Sequence, residues 1–304
     1  MRGALVVCVV SLLGCGPQDP PLQFGPCQPE RVSHVEGFGF FGSPAYIDEI
    51  SQSSTFVWGS IADAAQADAA GLRAVVDVSA IFEIVSPSRP PDDEVERAWA
   101  SAVEQLRPLR GAIAALYPID EPYSNARQTG VPFEEVARRL EHAAQVVHAT
   151  AGFEDVPMAV IFANPELDWI AAGEARNPSG YTWVGFDHYF AKPARLEERA
   201  ALLLALLRPE QRVLVVPDAF LLSHEADQLA GLEGRIAFWL GWVERNPRAV
   251  AIAPYVYTSG TYQTTSWIGA RDLPTIRDRY AQIGHCIAQA AVARGTSAAS
   301  ASTR

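Results

Sequence analysis

Short apolar runs alternate with stretches of helical periodicity from residue 34 to residue 293, and this alternation is the strongest signal in the chain. The runs fall at 34–42, 55–58, 72–78, 111–119, 158–163, 181–190, 212–216 and 250–257. Their length and near-continuous hydrophobicity predict strands buried on both faces, as in a parallel sheet. Helical patterns occupy 45–50, 61–70, 92–109, 132–150, 194–207, 223–245 and 273–293. The punctuation agrees: Gly71 where a helix should end, Asp92, Asp93 and Glu94 in a first turn, and Pro132 opening a helix.

Eight strands, seven of them followed by helical sequence, predict a single-domain α/β fold, a (β/α)8 TIM barrel over residues 34–293. An open doubly wound sheet normally carries a glycine-rich phosphate turn after its first strand. Here Gly37, Gly39 and Gly42 lie within the first run, separated by phenylalanines, which does not make a phosphate cradle. With 49% apolar residues the chain can fill the core such a barrel needs.

In a barrel of this kind, chemistry gathers at the C-terminal ends of the strands. The fourth run ends Leu116-Tyr117-Pro118-Ile119-Asp120-Glu121-Pro122-Tyr123. Strand alternation would put Tyr117, Ile119 and Glu121 on one face and Asp120 on the other, and Pro122 stops the strand where the acids begin. The other ends offer Trp58, Asp77, Asn164 with Glu166, Asp187 with His188 and Tyr189, Asp218 with Phe220, and Tyr255 with Tyr257. Asp77 is expected to pair with Arg73 or another base inside the barrel, and Trp239 and Trp242 to pack a helix on the sheet. The single lysine, Lys192, lies past its strand, so no Schiff base is offered. Of the six histidines only His188 ends a strand, and neither His-Glu-x-x-His nor Gly-x-Ser-x-Gly occurs.

Carboxylates mixed with aromatic rings suit carbohydrate chemistry, where rings stack on sugar faces and two acids serve the glycosidic bond. Asp120-Glu121-Pro122 resembles the Asn-Glu-Pro of clan A glycoside hydrolases, and residues 183–189 are similar to the sixth strand of several such barrels. The resemblance implies Glu121 as the acid/base. Asp120 stands where that family has a sugar-orienting asparagine, and Asp218 stands where it has a glutamate nucleophile on strand seven. Asp218 is one methylene short for that role, and Asp187 is the other candidate for the second carboxylate. Trp58, Asp120, Tyr123, Asn164, His188, Tyr189, Tyr255 and Tyr257 are the expected substrate-binding residues. Glu121, Asp187 and Asp218 should open onto one mouth, with Asp218 opposite Glu121 and Asp187 supporting a substrate hydroxyl. A carbohydrate-binding or scaffold barrel without the strand-seven glutamate is the alternative. A third reading is a metal-dependent hydrolase using Asp120, Asp187 and His188. No cofactor and no metal are expected, and the partner is a carbohydrate met by a monomer.

The net charge of −11 argues against nucleic acid as a partner. The first 15 residues have the layout of a secretory signal: Arg2, an apolar run too short to span a bilayer, then Leu12-Leu13-Gly14-Cys15. They resemble a bacterial lipoprotein signal, which implies lipid attachment at Cys15 and a lipid-anchored place in the cell envelope. An ordinary signal peptide cleaved nearby is the alternative. Residues 16–33, rich in proline, read as an extended tether, and residues 294–304 as a disordered tail. Cys27 and Cys286 are expected to form a disulfide if a closed barrel brings the two ends of the mature chain together. Detergent partitioning and fatty-acid labelling check the anchor: Cys15→Ala should abolish both, and unchanged labelling would remove Cys15 as the acceptor.

Overall fold

The computed structural model describes residues 27–225 and 228–301; the expected signal, Cys15 and most of the expected tether lie outside the described residues. The chain is a (β/α)8 barrel. Its strands are β1 (Gly37–Phe38), β2 (Phe56–Gly59), β3 (Arg73–Asp77), β4 (Ile113–Tyr117), β5 (Ala159–Ala163), β6 (Trp183–Asp187), β7 (Arg212–Val216) and β8 (Ala249–Ile252). Parallel ladders join β2 to β3 to β4, and β5 through β6, β7 and β8 to β1. Two thinner seams close the ring. Between β4 and β5, Leu116 pairs with Met158 and Asp120 with Ile161. Between β1 and β2, the Thr55 N–H donates to the Phe38 carbonyl at 2.8 Å.

The strands are apolar on both faces because each face meets its own core. Phe56, Trp58, Val75, Tyr117, Ile161, Trp183 and Leu214 fill the barrel interior. Phe38, Val57, Leu116, Phe162 and Phe186 face outward into the layer beneath the helices, where Trp239 packs edge-on against Phe186. Glycine permits the tight β1–β2 seam: a Cβ at Gly39 would stand 2.0 Å from the Phe56 carbonyl oxygen.

Several elements go beyond the pattern reading. Short helices α5 (Pro122–Thr129) and α7 (Asn164–Ala171) follow β4 and β5 directly. A three-stranded antiparallel sheet of Phe220–Leu222, Gly260–Tyr262 and Thr265–Gly269 is inserted beyond β7 and β8. The last helix, α10, runs Pro274–Ala301, past the expected end at residue 293, through an alanine-rich stretch of high helix propensity.

Cys27 and Cys286 are bonded, with Cα atoms 6.1 Å apart across 259 residues of sequence. Closing so long a loop restricts the unfolded chain. Cys286→Ser should therefore lower stability by about 2–5 kcal/mol in denaturant titrations. It should also abolish the difference between reduced and non-reduced unfolding curves.

Candidate functional site

The end of β4 departs from strand alternation, and the departure builds the site. Tyr117 points into the barrel interior, whereas Ile119 packs in the outer helix layer. Glu121 then takes a left-handed conformation, φ 41° and ψ 59°. For a residue with a Cβ this costs about 1–2 kcal/mol and needs surrounding support. The support is present: the Glu121 N–H donates to the Ile161 carbonyl at 3.0 Å, and Glu121's carbonyl accepts the Asn125 N–H at 2.9 Å. The Asn125 side chain donates to the Asp120 carbonyl at 2.7 Å. Through this elbow Asp120 and Glu121 act at the same mouth, where strict alternation would have sent them to opposite faces.

Glu121 reaches the carboxyl of Asp187, at the end of β6, and the two are hydrogen-bonded. Burial and then the negative charges of Asp187 and Asp120 drive Glu121 far above the ordinary carboxyl range. Burial and then Asp120 raise Asp187 as well, opposed by hydrogen bonds from Glu121 and the Tyr189 hydroxyl. Both carboxyls are therefore held towards the protonated form. Asp120 is also raised, by burial first, while the Tyr117 hydroxyl donates to its Oδ1 at 2.5 Å and pulls the other way. Asp120 is nonetheless solvent-accessible.

Aromatic rings line the same opening. Tyr189 stacks on Tyr255 at 5.4 Å and 23°, and Phe41 stacks on Trp58 at 3.8 Å and 25°. Trp58 meets Tyr117 edge-on at 4.6 Å, and Phe41 meets Tyr255 at 5.7 Å. The structure thus brings Glu121, Asp120, Asp187, Tyr189, Tyr255 and Trp58 to one end of the barrel.

Other residues expected there have different partners. Asp218 is buried in an ion pair with Arg235, Nε to Oδ2 2.5 Å, so the carboxyl that meets Glu121 is Asp187 and not Asp218. His188 faces the helix layer, where burial and then Arg195 and Arg199 lower its pKa to about 4. It therefore does not join Asp120 and Asp187, and among the described residues no group of three or more His, Cys, Asp or Glu is placed to hold a metal. Tyr123 is fully buried, its hydroxyl donating to the Arg176 carbonyl at 2.6 Å. Tyr257 packs on Phe40 in the outer layer and donates to Glu49. Asn164 opens α7 with its Oδ1 buried and unpartnered. Asp77 accepts the Ser79 N–H at 2.8 Å and does not pair with Arg73, which donates to the Glu36 carbonyl.

Two contributors, Tyr117 and Phe41, escape the sequence reading as site residues, and a third, Glu166, enters it only as a strand-end acid. Tyr117 was readable only as strand core, and Phe41 only as part of the first glycine-rich run. Glu166, in the first turn of α7, is fully buried; its Oε1 accepts the Ser124 N–H at the start of α5, and its Oε2 has no partner. Burial lifts it to about 8, with Asp187 and Asp120 adding to the rise.

Opposite stability effects should separate the two kinds of buried acid. Glu121 holds its proton longer folded than unfolded, so its contribution is complete below the unfolded carboxyl pKa and is lost as pH rises towards the folded value. Glu121→Gln should therefore raise the thermal midpoint at neutral pH. Asp218→Asn leaves the Arg235 charge buried and unpaired and should cost about 3–5 kcal/mol. Thermal and denaturant melts of the two variants read both signs.

No family model matches the chain, and no curated protein is similar to it in sequence. Solved structures do share its fold. A fungal β-1,4-galactanase superposes with a TM-score of 0.51 at 14% identity, over 72% of this chain and 89% of the galactanase. ScGas2 of Saccharomyces cerevisiae, solved with a bound compound, superposes with a TM-score of 0.52 at 10% identity, over 81% of this chain and 63% of that one. At these identities the likeness is one of architecture: the chain has the barrel fold of these proteins.

Proposed function

We propose that this barrel is an exported glycoside hydrolase, held at a bacterial cell envelope through Cys15, with Glu121 as the general acid. The observation that carries this reading is the hydrogen-bonded Glu121–Asp187 pair at the C-terminal end of the barrel. A carboxyl kept protonated through neutral pH can donate to a departing glycosidic oxygen. Asp187 raises the affinity of Glu121 for that proton, and Tyr189 orients Asp187. The half-buried rings of Tyr189, Tyr255 and Phe41 offer apolar surface for sugar rings, while Trp58 is buried beneath Phe41. The lipobox-like Leu12 to Cys15 supports the envelope location.

One observation favours a carbohydrate-binding barrel instead. Glycosidases hold their two carboxyls about 5–5.5 Å apart when retaining, or roughly 6.5–9.5 Å when inverting. Glu121 and Asp187 are in direct hydrogen-bonded contact, and Asp218 is committed to Arg235. The pair therefore works as one proton-holding unit and not as two opposed carboxyls.

A glycan hydrolysis screen followed by site variants separates the readings. Glu121→Gln should slow cleavage by about 10²–10⁴-fold while leaving oligosaccharide affinity within a few-fold of wild type. Asp187→Asn removes a negative neighbour, so the pKa of Glu121 falls and the alkaline limb of the rate profile moves to lower pH. Wild-type rates in Glu121→Gln would remove Glu121 as the general acid. Binding by wild type without cleavage would establish the binding barrel.

A further inference from the structure

The start of α5 leaves a helix-capping position that its own first residue does not fill. A residue opening a helix normally lies in the extended region. Its side chain turns back to accept the N–H of the second or third helical residue. Glu121 opens α5 in the left-handed region and makes no such bond. Its carboxyl is turned instead to Asp187. The acceptor for the third helical residue, Ser124, comes from elsewhere in the chain: its N–H donates to Oε1 of Glu166 at 2.5 Å.

Glu166 lies in the first turn of α7, directly after β5, and is fully buried. Its Oε2 is buried without a partner, an arrangement that destabilises a fold and that an apolar side chain of similar size would avoid. The one hydrogen bond Glu166 does make therefore stands out, and it falls on the first turn beside the elbow. Other contacts make α7 a firm support for that bond. The Tyr123 hydroxyl donates to the Arg176 carbonyl, just past α7, at 2.6 Å, and the Arg127 guanidinium lies 3.8 Å over the Trp169 ring. These hold the body of α5, whereas Glu166 holds the amide nearest Glu121.

We propose that Glu166 is a positioning residue for Glu121: it supplies the helix cap that Glu121 gives up, and so holds the left-handed elbow that sends the Glu121 carboxyl into the mouth. The inference rests on the reading of Glu121 as the proton donor and adds the group that keeps it in place. Without this cap the first turn of α5 relaxes towards an ordinary extended opening. The Glu121 carboxyl is then drawn away from Asp187 and into water, where it ionises like any other. Reach matters here and charge does not. Burial lifts Glu166 to about 8, so at neutral pH it is largely protonated, and glutamine reproduces its shape and its acceptor.

Carbon-13 NMR of the whole protein, labelled at the glutamate carboxyls, tests this without a substrate. The Glu121 signal is the one lost in Glu121→Gln. At pH 7 that signal should sit at the protonated position in wild type and in Glu166→Gln, which keeps the acceptor and removes the charge. It should sit at the ionised position in Glu166→Asp, which keeps the acid but loses about 1.3 Å of reach. Glu166→Met fills the space without an acceptor; it should match Glu166→Asp, and replaces it if that variant shows no cooperative melt. A protonated Glu121 in folded Glu166→Asp or Glu166→Met overturns the positioning role and leaves the acid reading intact. An ionised Glu121 in Glu166→Gln, where the acceptor is retained, also overturns it. An ionised Glu121 in wild type removes the acid reading and the positioning role together.

Discussion

The ring of strands closes through two thin seams, and the functional elbow is fastened into one of them. Between β4 and β5 the contact includes the hydrogen bond from Leu116 to the Pro157 carbonyl and, further along, that from Glu121 to the Ile161 carbonyl. The second bond both continues the barrel wall and pins the backbone of Glu121 in its left-handed turn. The requirement to close the sheet therefore also sets the position of the acid. Glu166 braces the same turn from α7 by capping Ser124, so β5, α7 and α5 converge on one short segment.

Around that segment the protein keeps like charges close together at a cost in stability. Glu121 and Asp187 cannot both ionise at contact distance in a partly buried recess, and Asp120 raises the penalty for each. Asp218 shows the opposite arrangement a few residues beyond β7, where Arg235 neutralises it and the Tyr280 hydroxyl binds its carbonyl. Two aspartates at corresponding strand ends thus have contrasting roles, one poised and one structural. The difference lies in the presence or absence of an arginine on the overlying helix.

Much of the architecture was legible because period and length are local properties of sequence. Eight runs with intervening helices specified the barrel, and the polar strand ends nominated Glu121, Asp120 and Asp187 together. The pairing between strand ends was not legible. Asp218 and Asp187 look alike in sequence, and only the position of Arg235 on the helix Leu229–Arg245 separates them. Alternation also misled beyond Tyr117, since Pro118 interrupts the strand and the turn at Glu121 resets which way each side chain faces. Tyr123, Tyr257 and His188 sit one or two residues from groups at the mouth, yet each faces the helix layer.

The crosslink between Cys27 and Cys286 has a mechanical consequence. A load applied to the chain before residue 27 reaches this covalent bond first and passes directly into the middle of α10. Residues 28–36, and β1 behind them, are bypassed. The tension is then borne by a long helix, in which Gly284 lies tight against the Ser53 carbonyl, and is spread along the barrel's flank. The short two-residue strand that completes the ring is thereby shielded from being peeled away.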